Sequence, residues 1–154
     1  MGILLNLQPK NELFAFQLYS QVMLKKKEEK KNRDPKVVDL VEKIKKAFSK
    51  DKGISQNVVS KMQDLRNLFI EQEQPTLVKS IRLVYEYAEA FDEFKIDLWE
   101  EEGGLGSFDY YLGLLENSHN KYNKEEIKSL NVYLKARLAG EDAEFQRPED
   151  DEDL

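Results

Sequence analysis

The chain of 154 residues has no cysteine and a single histidine, His119. Without cysteine it forms no disulfide, no thiolate metal site and no thiol nucleophile. One histidine cannot supply a zinc site or the paired Glu-x-x-His motifs of di-iron proteins, and no Gly-x-Ser-x-Gly elbow accompanies it. We therefore expect no catalytic, cofactor-binding or metal-binding residues, and we interpret the protein as non-enzymatic and His119 as a polar loop residue.

Long hydrophobic runs are also missing. The most apolar stretch, Leu13 to Leu24, has nine apolar residues in twelve, and as a helix it would span about 18 Å, which is too short to cross a bilayer. Residues Met1 to Gln8 lack the basic start of a secretory signal. These absences predict that the protein has no membrane partner and lies in the cytoplasm or within an intracellular assembly.

Only four prolines and seven glycines interrupt the chain, and no segment alternates apolar and polar residues for long enough to predict a strand. A content of 40% hydrophobic and 35% charged residues is typical of a globular, helix-rich domain. We predict an all-α fold, a single bundle of five or six helices with one long central helix. The predicted domains are a helical domain over residues 1–140 and an acidic C-terminal tail over residues 141–154.

The first two predicted helices have recognisable start signals. Helix one begins near Pro9 and continues into the Lys-rich stretch after Leu24. Asp34 caps helix two, which has Pro35 in its first turn and ends at Gly53. The apolar positions of helix two recur at helical spacing and are the expected core residues. They are Val37, Leu40, Val41, Ile44, Ala47 and Phe48.

Helix three follows the predicted cap Ser55, carries core residues at Val58, Met62, Leu65 and Phe69, and stops at Pro75. Helix four is predicted from Thr76 to Glu102, about 40 Å long if unbroken, and is the expected spine of the fold. Its apolar positions form a face wide enough to need more than one neighbour. They are Leu77, Val78, Ile81, Val84, Tyr85, Ala88, Phe91, Phe94, Leu98 and Trp99.

Two more helices complete the prediction. The glycine-rich break Gly103 to Gly106 is followed by Ser107, which we predict to cap an aromatic helix. Asn123 caps the last helix, with Glu126 at the capping-box position, and Gly140 ends it. Tyr122 and Ile127 stand at the two positions of a hydrophobic staple around that cap.

Three further features have both a functional and a structural interpretation. The glycines before Ser107 could present N–H groups to a phosphate, but no lysine stands where a phosphate-binding loop needs one, and a helix end followed by a helix start explains them. The acidic residues in the second half of helix four could bind a hard cation, but they fall opposite the apolar stripe and indicate a solvated face. Tyr110 and Tyr111 could stack on nucleobases, whereas the four-residue spacing of Tyr111 and Leu115 places those two on one face and favours core packing.

Charge is uneven along the chain. Lys25 to Lys52 holds twelve basic and six acidic residues, a net charge of +6, whereas Glu141 to Leu154 holds one basic and eight acidic residues, a net charge of −7. Together with the apolar helix faces, these poles predict a protein–protein interaction or assembly subunit of a larger complex, such as a virus particle or another multi-subunit machine. The predicted partner-binding residues are Phe145, Arg147, Asp150, Asp151, Glu152, Asp153 and Leu154.

An alternative comes from the ten residues Gly53-Ile54-Ser55-Gln56-Asn57-Val58-Val59-Ser60-Lys61-Met62. This segment resembles the turn and recognition helix of helix-turn-helix DNA-binding proteins. The resemblance implies a nucleic-acid-binding protein in which this helix and the Lys-rich segment contact bases and phosphates. The opposite charges of the two segments suggest, separately, that the acidic tail competes with nucleic acid for the Lys-rich segment. The implied contact residues are Lys25, Lys26, Lys27, Lys30, Lys31, Arg33, Gln56, Asn57, Ser60 and Lys61.

Overall fold

The computed structural model describes residues 15–21, 23–24, 32–103 and 106–148. The chain divides into two compact units, residues 1–32 and residues 33–154. Within the described ranges every regular element is a helix, seven in all, so the all-α prediction is confirmed and the predicted number of five or six helices is wrong. None of the helices in these ranges is long and apolar enough to cross a membrane.

In the first unit, residues 15–21 and 23–24 are helical and form α1. These residues fall within predicted helix one. Its predicted start near Pro9 and its continuation beyond Leu24 lie outside the described residues.

In the second unit, α2 (Pro35–Asp51) and α3 (Gln56–Glu71) begin where the local sequence predicts. The Asp34 carboxylate accepts a hydrogen bond from the Lys36 N–H at 2.8 Å, and Ser55 Oγ accepts one from the Val58 N–H at 3.2 Å. Each cap satisfies one of the N–H groups that a helix start leaves without a partner. The fully buried positions of the two helices are all among the predicted core residues. They are Val37, Val41, Ile44, Ala47, Val58, Met62, Leu65 and Phe69.

The single helix predicted from Thr76 to Glu102 is wrong, because α4 (Pro75–Phe91) ends well before that point. Asp92 takes a left-handed backbone conformation with φ of 62°, and the chain is non-helical until α5 (Asp97–Gly103). The break places both Phe94 and Ile96 in the core. On a continuous helix these two side chains would point about 200° apart, whereas extended residues two apart lie on one face.

The next helix, α6 (Ser107–Glu116), is short and is buried along most of its length. The predicted packing of Tyr111 and Leu115 in the core is confirmed. The predicted cap role of Ser107 is wrong, since Gly106 is the N-cap and makes no side-chain cap bond. The buried Ser107 hydroxyl accepts a hydrogen bond from the Ile96 N–H at 2.7 Å and donates to the Glu100 carboxylate at 2.9 Å. It therefore joins α6 to α5 and the segment before it.

The last helix, α7 (Lys121–Leu138), begins earlier than predicted. The Asn120 side chain caps it by accepting a hydrogen bond from the Tyr122 N–H at 2.8 Å, so the cap assignment to Asn123 is wrong. Tyr122 is 77% exposed, which rules out the predicted staple with Ile127. The capping box at Glu126 is wrong as well, because this carboxylate binds side chains far away in the sequence.

These helices of the second unit close a ring around one core. α3 packs between α2 and α4, α4 packs against α7, and α6 contacts both α7 and α2. α5 packs beside α6. Inside the ring, the buried Ser80 and Tyr111 hydroxyls form a hydrogen bond with their oxygens 2.9 Å apart. The ring brings α5, α6 and α7 together at one edge, where the candidate site lies.

Candidate interaction site around Glu126

A buried carboxylate, that of Glu126 on α7, lies at the centre of the candidate site. Its Oε1 accepts hydrogen bonds from the Trp99 indole N–H at 2.9 Å, the Tyr110 hydroxyl at 2.9 Å and Arg147 Nε at 3.2 Å. A buried carboxylate is costly unless it is paired and hydrogen-bonded, and here both conditions are met. Side chains from α5, α6, α7 and the C-terminal segment thus converge on one charge.

The guanidinium of Arg147 contacts two of these groups at once. Besides the Nε contact with Glu126, its Nη2 donates to the Tyr110 hydroxyl oxygen at 3.4 Å. A planar guanidinium presents several N–H donors in fixed directions, so it can bind two neighbouring acceptors in a way that a lysine ammonium cannot reproduce. The geometry of the site therefore selects for arginine at this position.

Phe145 fills an aromatic slot beside the carboxylate. Its ring centroid lies 5.2 Å from that of Trp99, and 6.0 Å from that of Tyr133 with the two ring planes nearly perpendicular. Such edge-to-face contacts add about 0.5–1.5 kcal/mol per pair beyond the apolar area they bury. Phe145 and Arg147, two residues apart, thus lie side by side in one groove. The groove is formed by Trp99, Tyr110, Glu126 and Tyr133.

The chain reaches this groove through a turn at the end of α7. Gly140 has φ of +87°, a left-handed conformation that favours glycine, and the Glu141 N–H donates to the Ala136 carbonyl at 3.0 Å. The Arg137 guanidinium contacts the Glu141 carbonyl at 3.4 Å and the Asp142 carboxylate at 3.7 Å. Residues 141–148, called here the docked segment, then continue without helix or strand as far as the groove.

The Tyr110 hydroxyl keeps its proton in this setting. Burial, and to a smaller extent the negative charge of Glu126, raises the pKa of Tyr110 to about 12. The hydroxyl is therefore a hydrogen-bond donor to the carboxylate throughout the neutral range.

The second buried carboxylate, that of Glu116 at the end of α6, has a different environment. It lies 3.8 Å from the Arg33 guanidinium and 3.7 Å from the Lys45 ammonium. Arg33 Nε also donates to the Asn117 side-chain oxygen at 2.8 Å. These contacts tie the end of α6 to the start and middle of α2 and are explained by the packing of the two helices.

The structure brings together two of the predicted partner-binding residues. Phe145 and Arg147 both lie in the groove around Glu126, where they contact their own chain. The other predicted members, Asp150, Asp151, Glu152, Asp153 and Leu154, lie outside the described residues.

The residues of the nucleic-acid alternative fall into separate places. Gln56, Asn57 and Ser60 are exposed in the first turns of α3, and Lys61 follows them half-buried. Arg33 precedes the opposite end of α2, a helix of 17 residues, which is about 26 Å long. Lys25, Lys26, Lys27, Lys30 and Lys31 lie outside the described residues.

Sequence reasoning missed the groove itself. The sequence predicts that Trp99 lies on the face of a long helix and that Tyr110 packs in the core. It predicts that Glu126 belongs to a capping box, and it indicates no role for Tyr133. The partners of Glu126 are 16, 21 and 27 residues away in the chain, so no local spacing could relate them. The aromatic and basic residues of the otherwise acidic tail, Phe145 and Arg147, were the one available signal.

A second candidate surface lies on α1. Its described residues include large apolar side chains that are exposed: Phe16, Leu18, Tyr19, Met23 and Leu24. Polar residues commonly cover the outer face of a helix, so a concentration of this kind is typical of a binding face.

In the described part of the chain, no group of three His, Asp or Glu side chains is placed to hold a metal ion. No protein-family model, curated protein or solved structure matches the chain.

Proposed function

We propose that the protein is a non-enzymatic interaction or assembly subunit that binds a protein partner through α1. The observation that carries the proposal is the exposure of Phe16, Tyr19 and Met23, which are 67%, 64% and 38% exposed. Burying a fully exposed side chain of this size contributes about 1.5–3 kcal/mol, so a complementary surface would gain part of that energy from each of the three.

The spacing of these residues supports a helix-in-groove mode of binding. Phe16, Tyr19 and Met23 are three and four residues apart, and such positions lie within an arc of about 60° on a helix. Leu24 lies about 80° from Phe16 and widens the apolar surface on that side. Anchors at this spacing are the pattern by which an amphipathic helix enters an apolar groove of a partner.

The charged residues that follow α1 in the sequence indicate which residues surround the partner's groove. Residues Lys25 to Lys31 comprise five lysines and two glutamates and follow α1 directly in the sequence. Complementary charge gives orientation and faster association more than raw affinity. The partner we propose therefore has an apolar groove with acidic residues at one end.

The test is affinity capture from native lysate with the tagged full chain, using a Phe16→Ser/Tyr19→Ser variant and a matched Tyr122→Ser control. Tyr122 is an exposed tyrosine on another helix, so its replacement controls for loss of surface tyrosine. We expect specific protein partners whose recovery falls by about tenfold or more in the α1 variant and is unchanged in the control.

Two results would contradict this proposal. One is equal recovery of the same partners by the α1 variant. The other is loss of all captured proteins on nuclease treatment, which would favour the nucleic-acid alternative.

A further inference from the structure

We propose that the groove formed by α5, α6 and α7 is a recognition site for an extended segment of a partner protein that carries phenylalanine followed two residues later by arginine, and that the docked segment occupies this groove as a built-in competitor. The proposal rests on residues of the second unit and is independent of the role proposed for α1.

The groove has the chemistry of a peptide site rather than of ordinary core packing. Its floor is the Glu126 carboxylate, 8% exposed, with two neutral donors, Trp99 and Tyr110, already in place. Among the described residues, the cation that pairs with this carboxylate is Arg147, which reaches it from outside the ring of helices. A vacant groove would leave a buried carboxylate without this charge partner, which favours occupation by a second arginine-bearing segment.

The docked segment is held by alternate side chains. Phe145 and Arg147 are partly buried in the groove, whereas Glu144 and Gln146 are exposed. Alternation of this kind is typical of an extended peptide that binds through every second residue. Any side chain can stand at the position between the two anchors, so the recognised pattern is Phe-x-Arg.

The way in which the docked segment is attached allows it to leave the groove and be replaced by a partner segment. The segment is neither helix nor strand, and its connection to α7 turns at Gly140, which has φ of +87°. Release of Phe145 and Arg147 therefore requires no helix to unfold. Segments with few buried contacts are those that open at the lowest free energy.

Tethering sets the strength of the competition. A segment connected to its site by a short linker acts at an effective concentration of about millimolar. A partner segment with the same two anchors then binds the full chain more weakly than a chain whose own anchors are removed. The built-in competitor thus raises the threshold for partner binding.

The experiment measures binding of a fluorescent peptide with the sequence of residues 140–148 to three full-length proteins by fluorescence anisotropy. They are the native chain, a Phe145→Ser/Arg147→Ser variant that vacates the groove, and a Glu144→Ser/Gln146→Ser control that changes only the exposed neighbours. We expect the vacated variant to bind the peptide at least about tenfold more tightly than the native chain, and the control to behave as the native chain does. Adding Glu126→Gln to the vacated variant is expected to lower its affinity for the peptide by about tenfold.

Equal affinity of the native and vacated proteins for this peptide would overturn the proposal, as would equal binding of a peptide with serine at both anchor positions. A second measurement needs no variant that could fail to fold. Hydrogen exchange of residues 142–147 in the native chain should accelerate when the unlabelled peptide is added in excess. Unchanged exchange at saturating peptide would also overturn it.

Discussion

Ser107 joins two helices through one buried hydroxyl group. Replacing it with alanine leaves the Ile96 N–H without its acceptor, and an unpaired buried donor costs about 1–3 kcal/mol. We expect Ser107→Ala to lower the free energy of unfolding by that amount, as measured by urea denaturation. Ser60→Ala, at an exposed position of α3, is the control and should change stability by less than about 0.5 kcal/mol. An equal effect of the two substitutions would contradict the structural role of Ser107.

Tyr111 makes the free energy of unfolding depend on pH in the alkaline range. Its ring is fully buried, and burial raises the pKa of its hydroxyl well above the ordinary value of 10.0. Because the folded pKa is the higher one, the contribution of this group is complete below about pH 10 and is lost as pH rises further. Tyr110 and Tyr133, with pKa values raised to about 12, act in the same direction.

The variant Tyr111→Phe separates this effect from the hydrogen bond to Ser80. At about pH 7 we expect a loss of about 1 kcal/mol, since the Ser80 hydroxyl loses its partner. Between about pH 9 and pH 11 the variant should lose less stability than the native protein does. Urea midpoints at several pH values measure both quantities, and parallel loss in the two proteins would refute the assignment to Tyr111.

At the scale of the element, the end of α4 is set by Asp92 in a left-handed conformation. A side chain at φ of 62° carries about 1–2 kcal/mol of strain that glycine avoids, and the extra conformational freedom of glycine in the unfolded chain offsets about 0.5–1 kcal/mol of that gain. We expect Asp92→Gly to stabilise the protein by a few tenths to about 1 kcal/mol in thermal unfolding. Glu93→Gly, one residue later, removes no such strain and should destabilise it. If both glycines destabilise, the helix does not end as described.

Cap residues in the sequence correctly predicted the helix starts that depend only on neighbouring residues. Asp34 and Ser55 cap α2 and α3 because a cap needs only neighbouring N–H groups. The end of α4 was not predictable in this way, because neither glycine nor proline marks it. It depends on burying Phe94 and Ile96 together, which is a property of the whole core.

The start of α7 and the groove likewise could not be predicted from neighbouring residues alone. Asn120 and Asn123 are equivalent as cap residues by type, and the choice between them depends on how the preceding turn packs. The capping-box spacing at Glu126 is a local pattern, but its carboxylate is used by residues of α5, α6 and the docked segment. The sequence therefore predicted that Phe145 and Arg147 bind something, without predicting the groove that binds them.

At the scale of the whole molecule, the division into two units predicts how truncations behave. Every buried core residue in the described part of the chain lies between Val37 and Leu134, within the second unit. We expect a chain lacking residues 1–32 to unfold cooperatively, with a Tm within about 4 °C of that of the full chain. A chain lacking residues 141–154 should have a lower Tm, because Phe145 and Arg147 are lost. Calorimetry measures both, and loss of cooperative unfolding in the first truncation would contradict the division.

The position of Trp99 gives the molecule an optical reporter of its own state. It is the only tryptophan in the chain, fully buried, with the Tyr110 and Phe145 ring centroids at 4.6 and 5.2 Å. Its indole N–H is bonded to the same carboxylate that binds Arg147. Emission excited at wavelengths where tyrosine does not absorb therefore comes from the floor of the groove alone. Departure of the docked segment would let water reach the indole and shift this emission to the red, so occupancy can be followed without a label.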